Sequence, residues 1–452
     1  MGILFGTDGV RGVANKELSP ELAFRLGRAG AYILTRRSGN KGVVVGRDTR
    51  ASGEMLEAAI VAGILSTGAN ALLLGIMPTP AVAYLTRALR AAGGFVISAS
   101  HNPAPDNGVK IFAGDGYKLP DTAEEEIEEL VFGKTAGVPS PVGGGIGRVV
   151  QVKDAAERYI NHVLKAGPES LKGFRIAVDC AHGAAFKLAP LVFKDLAAQV
   201  IPLGTEPDGL NINQDCGSTK PQALQELVIS SGADLGLAFD GDADRLIAVD
   251  EQGNVVDGDA IILACARFLK ARGELPLDTV VVTVMSNLGL HRALEASGIK
   301  ALVTKVGDRY VLEEMLRTGV RLGGEQSGHI VFLDQNTTGD GIITALKLLQ
   351  VMRETGKTLR ELSGELNRYP QLLENVRVND KERVLNSPLL AAAIKEQEKR
   401  LEKDGRVLVR ASGTESLIRV MVEARDPELT LRVVNELVAV VRSIEEGGEI
   451  AV

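Results

Sequence analysis

Several short segments of this chain combine residue types and spacings that could carry chemistry, and the first pairs a serine with a histidine. Residues 98–103 read Ser-Ala-Ser-His-Asn-Pro and follow an apolar run that predicts a buried strand over residues 94–98. The segment should therefore lie on the loop at the carboxyl end of a strand, where α/β folds place ligands, and this loop continues through residues 106–110. Ser100 beside His101 could be a nucleophile next to a base, whereas a plain surface turn is the alternative for such a pair taken alone.

Three carboxylates at alternate positions form the second segment, directly after the predicted strand 235–239. Asp240, Asp242 and Asp244 offer oxygens from one side of a Gly-containing loop, as a hard divalent cation requires. An EF-hand is excluded because its sixth position would be Arg245 instead of glycine and because the flanking elements are strands. A solvated acidic turn is the remaining alternative, but three unneutralised carboxylates beside a buried strand would repel one another.

Two glycine-rich segments suit a sugar and an anion. Residues 323–329 read Gly-Gly-Glu-Gln-Ser-Gly-His, so Glu325 and Ser327 offer an acceptor and a hydroxyl to sugar hydroxyls. A glycine-rich hairpin without a ligand is the alternative. Residues 5–12 place Arg11 on another glycine-rich loop, which suits an anion.

A fifth segment has the composition of a phosphate cradle. Residues 410–414 read Arg-Ala-Ser-Gly-Thr and are followed by Glu415 and Arg419. Two guanidiniums, two hydroxyls and a glycine that lets backbone N–H groups approach are the usual partners of a phosphate. A polar hairpin turn is the alternative.

The elements that must position these segments alternate between strand-length apolar runs and helical periods, which predicts mostly parallel βαβ units. The first helix is marked by Ser19 as N-cap and Pro20 in the first turn. The restarts of this alternation predict three α/β domains at 1–150, 151–253 and 254–368, with a smaller α+β domain at 369–452, arranged around a central cleft. Strands are predicted at 42–46, 71–74, 94–98, 174–179, 200–203, 235–240, 279–285, 302–305, 328–333, 406–410 and 418–423. Helices are predicted at 54–65, 81–89, 184–196, 222–230, 261–269, 288–296, 310–317 and after residue 427.

Composition excludes several classes of protein. The 452 residues include 51 Lys and Arg against 58 Asp and Glu, a net charge of −7, which argues against a nucleic-acid binder or a membrane-surface protein. The N-terminus lacks the pattern of a secretory signal, and no apolar run reaches the ~18 residues that span a bilayer. The three cysteines are far apart, which suits reduced thiols and does not support zinc or iron–sulfur ligation. We therefore expect a cytoplasmic protein.

Taken together, the segments suggest phosphoryl transfer on a phosphosugar, and they resemble those of the α-D-phosphohexomutase superfamily over essentially the whole chain. Residues 98–103, 240–245, 324–328 and 410–415 correspond in order to its phosphoserine, metal, sugar and phosphate loops. Within the superfamily the bacterial phosphoglucosamine mutase family is most similar. Its features here are residues 5–12, Gln326 where glucose and mannose mutases usually carry methionine, and the runs 306–310 and 336–341. Ser416 departs from the usual proline, and Ala243 from the commoner glycine.

The resemblance implies an isomerase that interconverts glucosamine 6-phosphate and glucosamine 1-phosphate and feeds UDP-N-acetylglucosamine and cell-wall precursor synthesis. Ser100 would pass a phosphoryl group to the substrate, giving a 1,6-bisphosphate, and would receive the other phosphate back. One Mg²⁺ per chain would be held by a phosphoserine oxygen at Ser100 and by Asp240, Asp242 and Asp244. Glucosamine or glucose 1,6-bisphosphate would be both intermediate and activator.

The remaining site residues follow from the same resemblance. Arg11, Lys110 and Arg245 would surround the transferred group, and either Lys110 or His101 would be the general acid/base at the sugar hydroxyl. The residues expected to bind the sugar are Asp308, Glu325, Gln326, Ser327 and His329. Those expected to bind the non-reacting phosphate are Arg410, Ser412, Gly413, Thr414 and Arg419.

Three alternatives stay open at this point. A phosphomannomutase/phosphoglucomutase would prefer a hexose phosphate without an amino group. A metal-dependent phosphatase using Ser100 would release inorganic phosphate. A phosphosugar sensor should have lost Ser100 or a metal carboxylate, yet all are present. The related bacterial proteins suggest a homodimer, with a small phosphosugar as the other partner.

Overall fold

A computed structural model describes residues 4–6, 8–133, 137–412 and 416–446 of the chain. The chain divides into two compact units. The first contains residues 1–285 and 298–364, and the second contains residues 286–297 and 365–452.

The first sheet of the first unit is mixed. Its elements, in chain order, are β1 (Val10–Val13), α1 (Pro20–Ser38), β2 (Gly42–Arg47), α2 (Ser52–Leu65), β3 (Asn70–Ile76), α3 (Thr79–Ala88), β4 (Gly93–Ile97), β5 (Asp106–Ala113), α4 (Asp121–Val131) and β6 (Val149–Gln151). The strand order is β1-β5-β4-β2-β3-β6, with β4, β2, β3 and β6 parallel and the β1–β5 and β5–β4 pairs antiparallel. Strand β5 corrects the expectation that residues 106–110 continue the loop, because residues 106–109 pair with β1 and residues 109 and 110 pair with β4.

Helix α1 begins as the sequence predicts. The Ser19 side chain accepts a hydrogen bond from Leu22 N, Pro20 occupies the first turn, and the helix ends at Gly39 with φ of 73°. Its inward stripe includes Leu26 and Ile33, which are buried against the sheet. This burial positions the strand ends that carry the candidate site.

The second sheet holds the acidic segment. Its elements are α5 (Ala155–Val163), β7 (Arg175–Asp179), α6 (Leu188–Asp195), β8 (Gln199–Leu203), α7 (Gln222–Ser231), β9 (Leu235–Phe239), β10 (Leu246–Asp250) and β11 (Val255–Val256). The strand order is β11-β10-β9-β7-β8, with β9, β7 and β8 parallel. Helix α6 begins four residues later than predicted, because Ala184 N donates to Gly241 O of the acidic loop and not to a helical carbonyl.

The third sheet carries the glycine-rich sugar segment. Its elements are α8 (Gly258–Ala271), β12 (Thr279–Thr283), α9 (Leu288–Ala296), β13 (Lys300–Thr304), α10 (Asp308–Thr318), β14 (Leu322–Gly324), β15 (Ile330–Phe332), α11 (Gly341–Thr355) and α12 (Leu359–Ser363). The order is β13-β12-β14-β15, with only the β14–β15 pair antiparallel. Helix α9 belongs by its contacts to the second unit.

The second unit is built on a three-stranded antiparallel sheet. Its elements are β16 (Gln371–Arg377), α13 (Lys381–Leu385), α14 (Pro388–Leu401), β17 (Gly405–Ala411), β18 (Leu417–Ala424) and α15 (Pro427–Glu445), with the strand order β16-β18-β17. Asp426 caps α15, as predicted, and the helix packs Val433, Leu437 and Val441 into the core of this unit.

The predicted fold class is confirmed: three α/β domains with mostly parallel sheets are followed by a smaller α+β domain. In the described part of the chain, no helix combines the length and apolar character that a bilayer crossing demands.

Candidate active site

The loop after β4 (residues 98–105, the serine loop) presents the candidate nucleophile to the loop after β9 in the second sheet (residues 240–245, the acidic loop). Ser100 is 1% exposed, and its backbone φ of 52° lies in the left-handed region. Its Oγ donates to Asp240 Oδ2 over 2.6 Å and lies 3.2 Å from His101 Nδ1. The structure thus brings Ser100 and His101, which follow a strand of the first sheet, next to Asp240, which follows a strand of the second sheet.

The three carboxylates of the acidic loop form a group that could hold a cation. Asp240, Asp242 and Asp244 are all buried, and one oxygen from each lies within 4.8 Å of the others. Asp242 Oδ1 and Asp244 Oδ1 are buried without a hydrogen-bond partner among the described residues. Burial raises the pKa of Asp240 well above its usual value, and repulsion from Asp244 and Asp242 raises it further. A divalent cation would remove both costs, so the arrangement fits a hard metal ion.

Gly241 allows the two loops to approach closely. A Cβ at this position would lie 2.5 Å from Ser100 O and 2.9 Å from Asn213 Nδ2. Any side chain here would push the serine loop away from the carboxylates, so glycine sets the distance between Ser100 and Asp240.

Cationic side chains lie beside the acidic group, and two of the three cations expected around the transferred group, Lys110 and Arg245, are among them. Lys110 lies on β5, and its Nζ is 2.9 Å from Asp242 Oδ2 and 3.0 Å from Asp8 Oδ2. Burial opposes the charge on Lys110, but Asp242 and Asp8 outweigh it and raise its pKa well above the ordinary value. Arg11 pairs with Asp8 over 2.6 Å, and Arg245 Nε lies 3.8 Å from Asp244 Oδ1.

The surroundings of His101 disfavour its protonated form, whereas those of Lys110 favour the protonated form. Burial lowers the pKa of His101 to about 4, and repulsion from Arg245 and Arg11 adds to this effect. The imidazole is therefore neutral at physiological pH and can accept a proton.

A closed ring of alternating acidic and basic groups surrounds the site. Asp244 contacts Lys110, Lys110 contacts Asp8, Asp8 contacts Lys118, Lys118 contacts Asp308, and Asp308 and Asp244 each lie within 4 Å of a ring nitrogen of His329. The ring draws members from all three sheets of the first unit. It fixes the relative positions of the serine, metal and sugar segments by charge.

The predicted sugar residues lie on the β14–β15 hairpin and at the start of α10. Glu325 Oε1 accepts from Gly307 N over 3.0 Å, and Ser327 Oγ lies 3.4 Å from Glu325 Oε2. Gln326 Nε2 donates to Asp257 Oδ2 over 3.3 Å. His329 is buried, and Gly339 N donates to its Nε2 over 3.2 Å. Both oxygens of Asp308 are engaged, one by Arg309 N and the other by Lys118.

The predicted phosphate residues lie in the second unit. Arg410 and Arg419 are direct partners across the antiparallel β17–β18 pair, so their side chains share one face. Burial lowers the pKa of Arg410, and repulsion from Arg419 lowers it further. Two like charges held opposite each other are a costly arrangement that an anion would relieve. Ser412 N donates to Leu417 O, which closes the loop, whereas Gly413 and Thr414 lie outside the described residues.

Several functional neighbours escaped the sequence analysis. Asp8 and Lys118 complete the charged ring, and Thr79 Oγ1 donates to Asp242 Oδ2 over 2.6 Å. Arg50 and Asn213 each donate a side-chain hydrogen bond to the Ser100 carbonyl of the serine loop. Asp8 stands in the run that contains Arg11 and could have been singled out there, but the other residues lie in no recognisable motif.

The chain combines three α/β sheets with a C-terminal antiparallel sheet, and it places a buried serine beside a group of three carboxylates. This combination defines a phosphohexomutase-type protein. Family models for phosphoglucomutase/phosphomannomutase match the chain in order: alpha/beta/alpha domain I at residues 2–137, domain II at 157–253, domain III at 257–369 and the C-terminal domain at 373–440. The chain therefore belongs to the phosphoglucomutase/phosphomannomutase family. It is an enzyme of the isomerase class, as the sequence predicts.

Similar proteins span the whole chain. A protein of Pelotomaculum thermopropionicum named phosphoglucosamine mutase is 61% identical over 98% of this chain and 100% of its own length. A protein of Desulforudis audaxviator with the same name is 60% identical over 98% of this chain and 99% of its own. Among solved structures, a phosphoglucomutase/phosphomannomutase family protein from Burkholderia thailandensis has a TM-score of 0.84 at 25% identity and covers 98% of each chain.

Proposed function

We propose that this chain interconverts glucosamine 6-phosphate and glucosamine 1-phosphate by moving a phosphoryl group to and from Ser100. The observation that carries the proposal is the position of Ser100 Oγ, 2.6 Å from Asp240 in a buried group of three carboxylates. The choice of an amino sugar rests on the relatives at 61% and 60% identity that are named phosphoglucosamine mutase.

The three carboxylates and an oxygen on Ser100 would hold one Mg²⁺ ion. The partnerless buried oxygens of Asp242 and Asp244 support this assignment, because they are the ligand atoms that hard cations prefer. When bound, the ion would supply positive charge against the negative charge that develops on the transferred group. A hexose 1,6-bisphosphate would load Ser100 and would also be the intermediate.

Lys110, Arg245 and Arg11 would stabilise the phosphoryl group by charge. Lys110 is buried on β5 beside the carboxylates, so its ammonium is fixed in place before the substrate arrives. Such preorganised charge is the main contribution that a protein makes to phosphoryl transfer.

His101, one of the two candidates for the general acid/base at the sugar hydroxyl, would also move the proton at Ser100. When Ser100 accepts a phosphoryl group its hydroxyl loses a proton, and when the group leaves Ser100 takes a proton back. His101 Nδ1 lies 3.2 Å from Oγ and is neutral at physiological pH, so it can accept and return that proton when the hydroxyl turns from Asp240 to the imidazole. Lys110 is held protonated by its carboxylate partners and would act as a fixed cation.

The substrate would be held at both ends. Glu325 and Ser327 offer polar atoms to sugar hydroxyls from the β14–β15 hairpin, with Gln326, His329 and Asp308 close by. In the second unit, Arg410, Ser412, Gly413, Thr414 and Arg419 would bind the non-reacting phosphate. We also expect the protein to be cytoplasmic and to form a homodimer. Size-exclusion chromatography with light scattering would test the oligomeric state.

A ³¹P NMR assay tests the reaction and the substrate together. Purified protein with Mg²⁺ and a trace of glucose 1,6-bisphosphate is offered glucosamine 6-phosphate, glucose 6-phosphate and mannose 6-phosphate in parallel. We expect the 1-phosphate signal to grow fastest from the glucosamine compound. Faster conversion of glucose or mannose 6-phosphate would move the assignment to a phosphomannomutase/phosphoglucomutase. Inorganic phosphate as the only product would indicate a phosphatase.

A further inference from the structure

Arg50 lies beneath the serine loop and is completely buried, which is rare for an arginine. Its guanidinium has five N–H groups, and the structure provides five acceptors at hydrogen-bond distance. These are Asp48 Oδ2 for Nε (2.9 Å), the carbonyls of Pro103 and Asp106 for Nη1 (2.5 and 3.0 Å), and the carbonyls of Ser100 and Asn102 for Nη2 (3.1 and 2.8 Å). Three backbone carbonyls of the serine loop and the carbonyl of Asp106, at the start of β5, therefore converge on a single side chain.

A second side chain grips two of the same carbonyls from another sheet. Asn213 Nδ2 donates to Ser100 O over 2.9 Å and to Asn102 O over 3.0 Å. Asn213 belongs to the segment between β8 and α7, whereas Arg50 follows β2. The serine loop is thus bound by one side chain from a loop of the first sheet and by another from a loop of the second sheet.

The amide side of the nucleophile is fixed as well. Ser100 N donates to Ser98 Oγ over 3.0 Å, and Ser98 Oγ donates to Asp48 Oδ2 over 2.6 Å. Asp48 is the carboxylate that pairs with Arg50, so one buried ion pair reaches Ser100 from both its N–H and its C=O.

The backbone at Ser100 needs such support. Its φ of 52° is a conformation that residues with a Cβ seldom adopt, and it persists only where the surroundings dictate it. The conformation aims Oγ at Asp240. A phosphoryl carrier must return to the same position after each half-reaction, because a displacement of one ångström in a reacting atom is costly.

We infer that Arg50, assisted by Asn213, is a positioning residue that aims Ser100 for phosphoryl transfer through three carbonyls of the serine loop and the carbonyl that begins β5. The inference rests on the proposed function of Ser100 as the phosphoryl carrier. An arginine is needed because a lysine has only three donors and no planar fork to reach carbonyls on two sides.

The test compares Arg50→Lys with Arg47→Lys. Arg47 lies three residues earlier and pairs with Glu54 and Glu57. Among the described residues, its side chain has no hydrogen bond or ion pair with the serine loop, so it controls for the arginine-to-lysine change in this segment. In Arg50→Lys we expect kcat and the rate of labelling of Ser100 by ³²P-bisphosphate to fall by about 100-fold, with KM for the phosphosugar within about twofold. In Arg47→Lys we expect all three values to stay within about twofold of the wild type.

Asn213→Gly provides a second variant that leaves the buried ion pair intact. Glycine accepts the positive φ of 58° at this position and removes the side chain whose Nδ2 donates to the two carbonyls, so kcat should fall by about tenfold with KM unchanged. If Arg50→Lys does not fold, this variant decides the question.

The outcomes separate the inference from the function it rests on. Wild-type protein that takes no label on Ser100 would refute the phosphoryl carrier itself. Labelled wild type, with wild-type kcat in a folded Arg50→Lys or in Asn213→Gly, would overturn the positioning role. A lower thermal midpoint with unchanged kcat would make Arg50 a purely structural residue and would overturn it too.

Discussion

Asp340 is a buried acid of the first unit that caps α11. Replacing it by asparagine should change how the stability of the protein depends on pH. It caps α11 through Ile342 N and Ile343 N, accepts from Tyr159 Oη with both oxygens at 3.0 and 2.9 Å, and accepts from Asn336 Nδ2 at 3.0 Å. Burial raises the pKa of Asp340 to about 6, and these hydrogen bonds keep it from rising further.

The size of the effect follows from that pKa. In the unfolded protein this carboxyl has its ordinary pKa of 3.8, and in the folded protein its pKa is about 6. The contribution of Asp340 to stability is therefore fully present below about pH 4 and is lost as the pH rises through about 6. A difference of about two units corresponds to roughly 3 kcal/mol by pH 7.5. For a unit of roughly 350 residues, this converts to about 4 °C in thermal midpoint.

Asp340→Asn cannot titrate, so it should remove this pH dependence. Its carbonyl can still cap α11, but its amide would face the Asn336 amide, donor against donor. Below pH 4 we expect a destabilisation of about 1–3 kcal/mol from that clash. Near pH 7.5 the midpoints should converge or cross, because the wild type then carries a buried charge that the variant lacks.

The assay is the thermal midpoint by scanning fluorimetry at half-unit steps from pH 4 to 7.5, with the difference between wild type and variant as the readout. Asp195→Asn is the matched control, because Asp195 is exposed at the end of α6. A difference that does not shrink with rising pH, or that shrinks equally for the control, would refute the reasoning.

Three further predictions concern the site. Asp240→Asn should raise the metal-free thermal midpoint, since it removes one of three repelling buried carboxylates, and should abolish stabilisation by Mg²⁺; a wild-type midpoint indifferent to Mg²⁺ would contradict the metal assignment. Lys118→Met should lower kcat/KM by about 10- to 100-fold, because Asp8 and Asp308 lose their shared cation, while the exposed Lys16→Met leaves it unchanged. Arg410→Ala should raise KM for the phosphosugar by about 100-fold without changing Mg²⁺ affinity, and an unchanged KM would refute the phosphate cradle.

The residues that could be predicted from sequence are those whose motif follows a strand directly. Ser100 and Asp240 each come within three residues of the end of an apolar run, and the carboxyl ends of such strands are where α/β sheets collect ligands. Helix α1 was equally accessible, because Ser19 and Pro20 mark its first turn locally.

What escaped prediction depends on pairing between distant segments. The glycine and asparagine of β5 weaken its apolar pattern, so the sequence predicts a loop there. The segment instead pairs antiparallel to β4, and this pairing turns Lys110 toward Asp242. Arg50 binds carbonyls some 50 residues away, and Lys118 meets Asp308 across 190 residues. Such contacts have no local period, so only the folded chain reveals them.

The central claim is that Ser100 carries the phosphoryl group during turnover, and a label-and-chase experiment tests it most directly. Protein is incubated with Mg²⁺ and ³²P-labelled glucose 1,6-bisphosphate, digested, and mapped by mass, with Ser100→Ala as control. The label should appear on the peptide containing Ser100 and should move into hexose bisphosphate when glucosamine 6-phosphate is added. A label that never reaches Ser100 while turnover proceeds, or that leaves only as inorganic phosphate, would contradict the account.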